Sequence, residues 1–218
     1  MTTFPGSPRL IKGAIVGIDK GNPLASIIVF QYNPGTMTRR LDARSIGGGE
    51  GGDKAEVYRL TGPPKETITL KVEIDAADQL DQGNPLAATM GVYPALSALE
   101  MLLYPKSATV LTNMGFIEAG NIEIIPQEAP MTLFVWGPQR VLPVRLTSFS
   151  ITEQAYDPAL NPLRVEVDLT LQVLSYSDFQ VSDPGSYIFL AHQIAKEVMA
   201  TSQAVNSAQE IGLSLKFF

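Results

Sequence analysis

Cysteine is absent and histidine occurs once, at His192. Without cysteine the chain has no disulfide framework, no thiol nucleophile and no thiolate metal ligand. With one histidine, the common zinc sites and any Ser-His-Asp or Cys-His constellation are excluded as well. Positive charge is scarce: 16 Lys and Arg stand against 22 Asp and Glu, a formal net charge of −6. That argues against a nucleic-acid partner, which needs a basic face. No run approaches the ~20 apolar residues that span a bilayer, and the start, MTTFPGSPRLIK, lacks the apolar stretch of a secretory signal. Both absences predict a chain kept in the cytoplasm, without direct membrane insertion. A dinucleotide fingerprint is missing. Residues 45–56, SIGGGEGGDKAE, are rich in glycine, but Lys54 is followed by Ala55 where a phosphate-cradling loop needs Ser or Thr, so the stretch reads as a flexible loop. Asp75, Asp78 and Asp81 are spaced by three, which does not fit the alternate oxygen ligands of a calcium loop; a solvated strand-to-helix turn suits them better. The 22 acids include no pair in a recognisable catalytic context. No catalytic residue, metal site or cofactor is expected.

What is present is patterning. Hydrophobic residues make up 45% of the chain and charged residues 17%, so most of it should fold. Its 218 residues allow one large β-rich domain or two small ones, and 16 Pro with 18 Gly suit short strands joined by turns. The clearest signal lies in 143–174. Val165, Val167, Leu169, Leu171 and Val173 alternate with Glu166, Asp168, Thr170 and Gln172, the period-two signature of a sheet with one buried face. The arm before it begins in the same way with Val144 and Leu146, then slips phase to Phe149 and Ile151. One extra residue produces such a slip, so a bulge is expected near Thr147–Ser148. Tyr156-Asp157-Pro158 through Asn161-Pro162 is turn chemistry. Glu66–Asp75 alternates equally cleanly, with Ile68, Leu70, Val72 and Ile74 inward. Lys12–Ile18 reads as a strand with Ala14, Val16 and Ile18 on one face. Ser26–Tyr32 is a nearly continuous apolar run that suggests burial on both faces. Thr36–Arg44 is a polar strand or extended segment, and Met131–Trp136 with Arg140–Ile151 forms a hairpin around Gly137-Pro138. Trp136 beside that turn is expected to be a core or interface anchor.

Helices are fewer. Pro94–Tyr104 carries Leu96, Leu99 and Leu103 at helical spacing and is stopped by Pro105. Thr109–Ile125 reads as loop and short strand. Asp183-Pro184 opens a terminal helix whose apolar face is Ile188, Ala191, Ile194, Ala195, Val198 and Met199 up to about Gln203, with His192 near that face. The tail ends Leu215-Lys216-Phe217-Phe218, an apolar cluster suited to docking on a partner. Gly-Asn-Pro-Leu-Ala at 21–25 and 83–87, with Asn-Pro-Leu at 161–163, is shared turn chemistry, because the flanks do not repeat. Charge is uneven: residues 1–44 hold six Lys/Arg and two Asp/Glu, an excess of +4 that leaves −10 for the rest. Opposite poles on one chain favour head-to-tail stacking of copies, although chance asymmetry of a solvated surface gives the same numbers.

Three stretches, IIVFQYNPGTMTRRL (27–41), PPKETITLKVEIDAADQL with YPALSALEMLLYP (63–105) and LPVRLTSFSITEQAYDPALNPLRVEVDLTLQVL (142–174), resemble in order and spacing the tube-type domain of contractile injection systems, the phage-tail-like devices of bacteria. The resemblance covers roughly residues 10–178. It implies a mainly β fold (β+α), a tail-tube-like β-barrel or sandwich with a flanking helix, a long hairpin and, here, a C-terminal helix. It divides the chain into a lead-in (1–9), the β domain (10–178) and a C-terminal helix and tail (179–218). It implies a structural, non-enzymatic subunit of a homo-oligomeric ring, a hexamer, joining the spike hub protein to the inner-tube protein at the baseplate and touching other baseplate proteins. The particle would assemble in the cytoplasm and be released or docked at a membrane as a whole. Members of the family commonly carry a C-terminal LysM module, for which this chain has too few residues after 178. The subunit interface is then expected at Phe149, Ile151, Glu166, Asp168, Thr170, Gln172, Phe217 and Phe218.

Two alternatives remain open. One is the repeating inner-tube subunit itself, against which the extra length and terminal helix argue. The other is a flavin-binding split-barrel reductase, with the Gly-rich loop and Arg39, Arg40 and Arg44 holding a phosphate. A monomeric sandwich would also give the observed alternation.

Overall fold

The computed structural model describes residues 11–18, 26–44, 60–118 and 129–210, with the side chains of 26 and 205–210 left out. The expected lead-in at 1–9, the Gly-rich loop at 45–56, the turn at 21–23 and the tail with Phe217 and Phe218 fall outside these residues.

Among the described residues seven strands, β1 (Ala14–Ile18), β2 (Ser26–Val29), β3 (Met37–Asp42), β4 (Lys65–Asp75), β5 (Met131–Val135), β6 (Val141–Tyr156) and β7 (Pro162–Val173), form one antiparallel sheet. Their order is β2-β1-β5-β6-β7-β4-β3. Five helices accompany it among the same residues: α1 (Ala77–Asp81), α2 (Pro85–Met90), α3 (Tyr93–Glu100), α4 (Ser107–Glu118) and α5 (Pro184–Glu210). The chain is therefore mainly β with added helix, as its patterning implies.

The alternating strands sit at the centre. Val165, Val167, Leu169 and Leu171 of β7 are wholly buried, opposite Ile74, Val72, Leu70 and Ile68 of β4 in register. Each such side chain contributes roughly 1.5–3 kcal/mol by leaving water. On the other flank, Val144 and Leu146 of β6 face Val173 and Leu171, whereas Phe149 and Ile151 face Leu169 and Val167. The register shifts between Leu146 and Ser148, so the expected bulge exists, and it keeps the apolar residues of β6 on the core face across the change of phase. Thr147 Oγ1 donates to the Thr170 carbonyl at 3.0 Å, satisfying an oxygen beside the irregularity.

Where the sequence pattern was weaker, the structure differs. In β1 the buried positions are Ile15 and Gly17, while Ala14, Val16 and Ile18 form the half-buried opposite face. In β2 burial on both faces does not occur: Ile28 and Phe30 are buried and Ile27 and Val29 are exposed, because β2 is an outer strand with one face uncovered. In α3 Leu96 and Leu99 are buried as expected, but Leu102 is buried in place of Leu103. The helix ends at Glu100 and a turn follows, with Leu102 N–H on the Leu99 carbonyl and Leu103 N–H on Glu100, so helical spacing no longer sets the direction. The expected loop and strand at 109–118 is instead α4; residues 119–125 lie outside the described set.

α3 packs beside β2 and contributes Leu96 and Leu99 to the same core as Phe30, Phe134 and Leu142. Trp136 is an anchor of that core, stacked on Phe134 with ring centres 5.8 Å apart. The helical excursion α1–α3 is tied to the far end of the β6–β7 hairpin. Ala76 N–H donates to Leu163 O, Val92 N–H donates to Pro162 O and Asn161 Nδ2 donates to Thr89 O. Gly91 makes this approach possible: its φ is +57° and a Cβ there would strike the Pro162 carbonyl. The two described copies of the Asn-Pro-Leu element act differently. Asn84 caps α2 through its Oδ1 to Leu86 N–H, whereas Asn161 closes the hairpin turn on Asp157.

Candidate assembly surface

The expected interface residues of β6 and β7 divide between two faces. Phe149 and Ile151 are half-buried and pack against the core. Glu166, Asp168, Thr170 and Gln172 lie on the opposite, polar face, where charges of β4 and β7 interlock and β6 adds a hydrogen bond. Lys71 Nζ reaches Glu166 at 2.9 Å, and Arg164 bridges Glu73 at 3.3 Å and Asp75 at 2.8 Å. Arg145 donates to Gln172 Oε1 at 2.9 Å. The hydrogen bond to Lys71 holds the Glu166 carboxyl below its ordinary range and the Lys71 ammonium above its own. The Asp75 carboxylate likewise raises Arg164. These exposed pairs each contribute little. Their effect is a hydrophilic surface of balanced charge along the hairpin. Beside it, the Tyr32–Thr36 segment and Lys71, Glu73 and Glu166 border a crevice of about 270 Å³, below the size of most small-molecule sites. Its ionised walls are already paired.

Among the described residues both ends of the sheet are open. Among the described residues β2 pairs only with β1 and β3 only with β4. An unpaired edge presents free backbone donors and acceptors and is a template for another strand. The two edges differ in chemistry: β2 shows Ile27 and Val29 to solvent, β3 shows Arg40 and Leu41.

The helices expose apolar surface as well. Helix α4 has no charged residue before Glu118, and its only buried side chain is that of Asn113. Leu111, Met114 and Ile117 are 67%, 53% and 59% exposed. A helix apolar all round belongs inside a protein, yet this one lies on the outside of its own chain. Neighbouring Met101, Leu103 and Tyr104 extend the exposed surface. In α5 the apolar face expected from spacing points outward, with Ile194, Val198 and Met199 exposed. The face laid on the sheet is instead Gly185, Ser186, Phe189 and His192. Phe189 meets Tyr176 edge-on at 5.9 Å, and Gly185 lies so close to the Phe179 ring that a Cβ would collide with it. Small and polar residues seat the helix, which apolar spacing alone does not reveal.

A buried polar cluster lies under α5. Glu66, on the core face of β4, bonds Arg39 at 2.6 Å and faces Lys196 of α5 at 3.7 Å. His192 Nδ1 is 3.2 Å from the Gln139 carbonyl. The three arginines considered for a phosphate do not converge: Arg39 pairs with Glu66, Arg40 with Asp42, and Arg44 lies 4.0 Å from Asp178. Among the described residues no three His, Asp or Glu side chains are placed to share a metal, and no helix is long and apolar enough to cross a membrane. Of the three aspartates expected at a strand-to-helix turn, Asp75 ends β4 beside that turn and accepts Ala77 N–H, whereas Asp78 and Asp81 lie within α1, Asp78 accepting from Gln31 and Tyr32.

Comparison with known families finds no match, and comparison with curated proteins finds none either. Among solved structures the chain is similar to one from the virion of a native gene transfer agent particle, at 7% identity and a TM-score of 0.28, over 74% of this chain and 90% of that one. At that score and identity the likeness decides neither fold nor role.

Proposed function

We propose that this chain is a structural subunit of a phage-tail-like contractile injection particle, forming a ring that joins the spike hub to the inner tube at the baseplate. The observation that carries the reading is the pair of open sheet edges, unlike each other, at the two ends of one antiparallel sheet. Joining β2 of one copy to β3 of the next is a heterologous contact, and a heterologous contact closes into a ring when the rotation permits. Closure removes both edges at once. The resemblance of the stretches at 27–41, 63–105 and 142–174 to tube-type domains supplies the particle, the hexameric count and the partners: spike hub, inner-tube protein and other baseplate proteins. The division into a β domain at 10–178 and a C-terminal helix and tail at 179–218 belongs to the same reading. The polar row Glu166, Asp168, Thr170 and Gln172 then faces water, in the lumen or on the outer wall. Exposed apolar residues of α4 and α5 lie against neighbouring subunits. The work is mechanical: to match the symmetry of a spike to that of a tube and pass on thrust, with no reaction catalysed.

Electron microscopy of the purified full chain, alone and mixed with spike and tube proteins, tests this. Rings are expected, capping spikes or starting tubes, and Ile27→Lys with Val29→Lys at the β2 edge abolishes them while leaving a folded monomer. Monomers that never join a spike or tube would overturn the reading. Long polymers formed by the chain alone would make it the repeating tube subunit.

A further inference from the structure

Among its described side chains, helix α5 rests on the sheet through its first half. Gly185, Ser186, Phe189 and His192 are buried, Lys196 is half-buried, and residues 197–204 are exposed. A helix of 27 residues extends about 40 Å, and the described side chains beyond Lys196, at 197–204, stand clear of the chain's own core. Its deepest polar contact is His192, 7% exposed.

The protonation state of that ring follows from its partners. The Gln139 carbonyl accepts only, so Nδ1 carries the hydrogen. Nε2 is buried and has no hydrogen-bond partner among the described residues. As a lone pair it loses one modest hydrogen bond. As a protonated N–H it would place a positive charge in a buried site with no acceptor. The groups around it make this worse. Lys196 lies one turn on along α5 and Arg140 approaches from the β5–β6 turn. Against these two cations there is, among the described residues, one carboxylate, Glu66 of β4, which already pairs with Arg39 on β3 and faces Lys196. Burial first, then the Lys196 charge, holds the imidazole below its ordinary range, and burial with Arg39 lowers even the Arg140 guanidinium.

We propose that His192 is a pH-sensitive latch: neutral, it keeps α5 on the sheet, and on taking a proton from solvent it releases the helix with its exposed apolar stripe. The sign follows from linkage. Undocked, His192 binds its proton near pH ~6.5; docked, it does so only at lower pH. Docking is therefore at full strength above about pH 6.5 and weakens as pH falls toward the docked value, by up to about tenfold per pH unit for one proton. This rests on contacts within one chain and is independent of the ring.

The test uses the absence of native cysteine. Spin labels at Ser150→Cys and Ala200→Cys, both exposed, report the distance between α5 and the sheet, with labelled chains diluted into unlabelled ones. A single distance is expected at pH 7.5, and a second, broader population at pH 5.0. The one imidazole is followed by NMR over the same range, and its midpoint must coincide with the release. His192→Gln, which still donates to Gln139 and takes no proton, should stay docked at both pH values. If the Gln variant is undocked already at pH 7.5, Lys196→Met decides: without that cation the docked imidazole is protonated at less cost, so acid releases the helix less readily and the midpoint of release moves to lower pH. An unchanged distance distribution down to pH 5.0, release that persists in His192→Gln, or a midpoint that does not move in Lys196→Met overturns the proposal.

Discussion

Strand β7 and helix α4 are each twelve residues long and each contains six Ala, Val, Ile, Leu, Met or Phe residues. β7 buries five of its six and half-buries Leu163, whereas α4 fully buries none. In β7 the apolar residues fall on one face, so one sheet satisfies them all. In α4 they fall all round, so no single contact within the chain could cover them. The same apolar content is a core in one place and a surplus in the other, and the surplus, with the edges β2 and β3 left open among the described residues, is the surface that the proposed assembly covers.

The comparison can be broken by truncation. Leu169→Ala in β7 should destabilise the chain by about 2–5 kcal/mol, while Leu111→Ala in α4 should cost the isolated chain under about 0.5 kcal/mol. Urea unfolding of the two variants measures both; equal costs would mean that α4 is core after all. Next in size is Gly91→Ala, which opposes the +57° backbone and the nearby Pro162 carbonyl. It should cost about 1–3 kcal/mol, and amide exchange should show the loss at the hairpin turn and α2 rather than at β1 and β2.

A third outcome concerns acid. The Asn161 side chain, helped by backbone N–H groups, holds the Asp157 carboxyl below its ordinary range. A depressed carboxyl stabilises the fold above its ordinary pKa of about 4 and loses that contribution as pH falls through the lower folded value. The Asn161 amide resonance should therefore move below about pH 4, and Asp157→Asn should remove the movement. The smallest effect is expected at Leu160, exposed and left-handed with φ 65°. Leu160→Gly relieves the strain and should raise stability by at most ~1 kcal/mol, read as a small rise in the urea midpoint.

Legibility in the sequence followed the same division. Strict alternation placed β4, β6 and β7, and the slipped phase from Leu146 to Phe149 placed the bulge, because period two has one physical cause. α4 was hidden by its composition, since a helix apolar on every side has no period to detect. β2 looked doubly buried because a continuous apolar run is the same in a central strand and in an outer strand with one uncovered face. The seat of α5 was hidden because Gly185, Ser186 and His192 pack by shape and hydrogen bonding, while the conspicuous stripe of Ile194, Val198 and Met199 faces away. The ion pairs of the polar face depend on which strands become neighbours, and β4 and β7 are far apart in the chain. Only their shared alternation hinted at the contact.

The central claim is that two unlike open edges and an uncovered apolar helix are completed by copies of the same chain. A cryo-electron microscopy map of the assembled ring tests it most directly. The account predicts β2 of each copy about 4.8 Å from β3 of the next, with Leu111, Met114 and Ile117 covered by a neighbouring subunit. A ring whose copies meet elsewhere, leaving both edges and α4 in solvent, would contradict it.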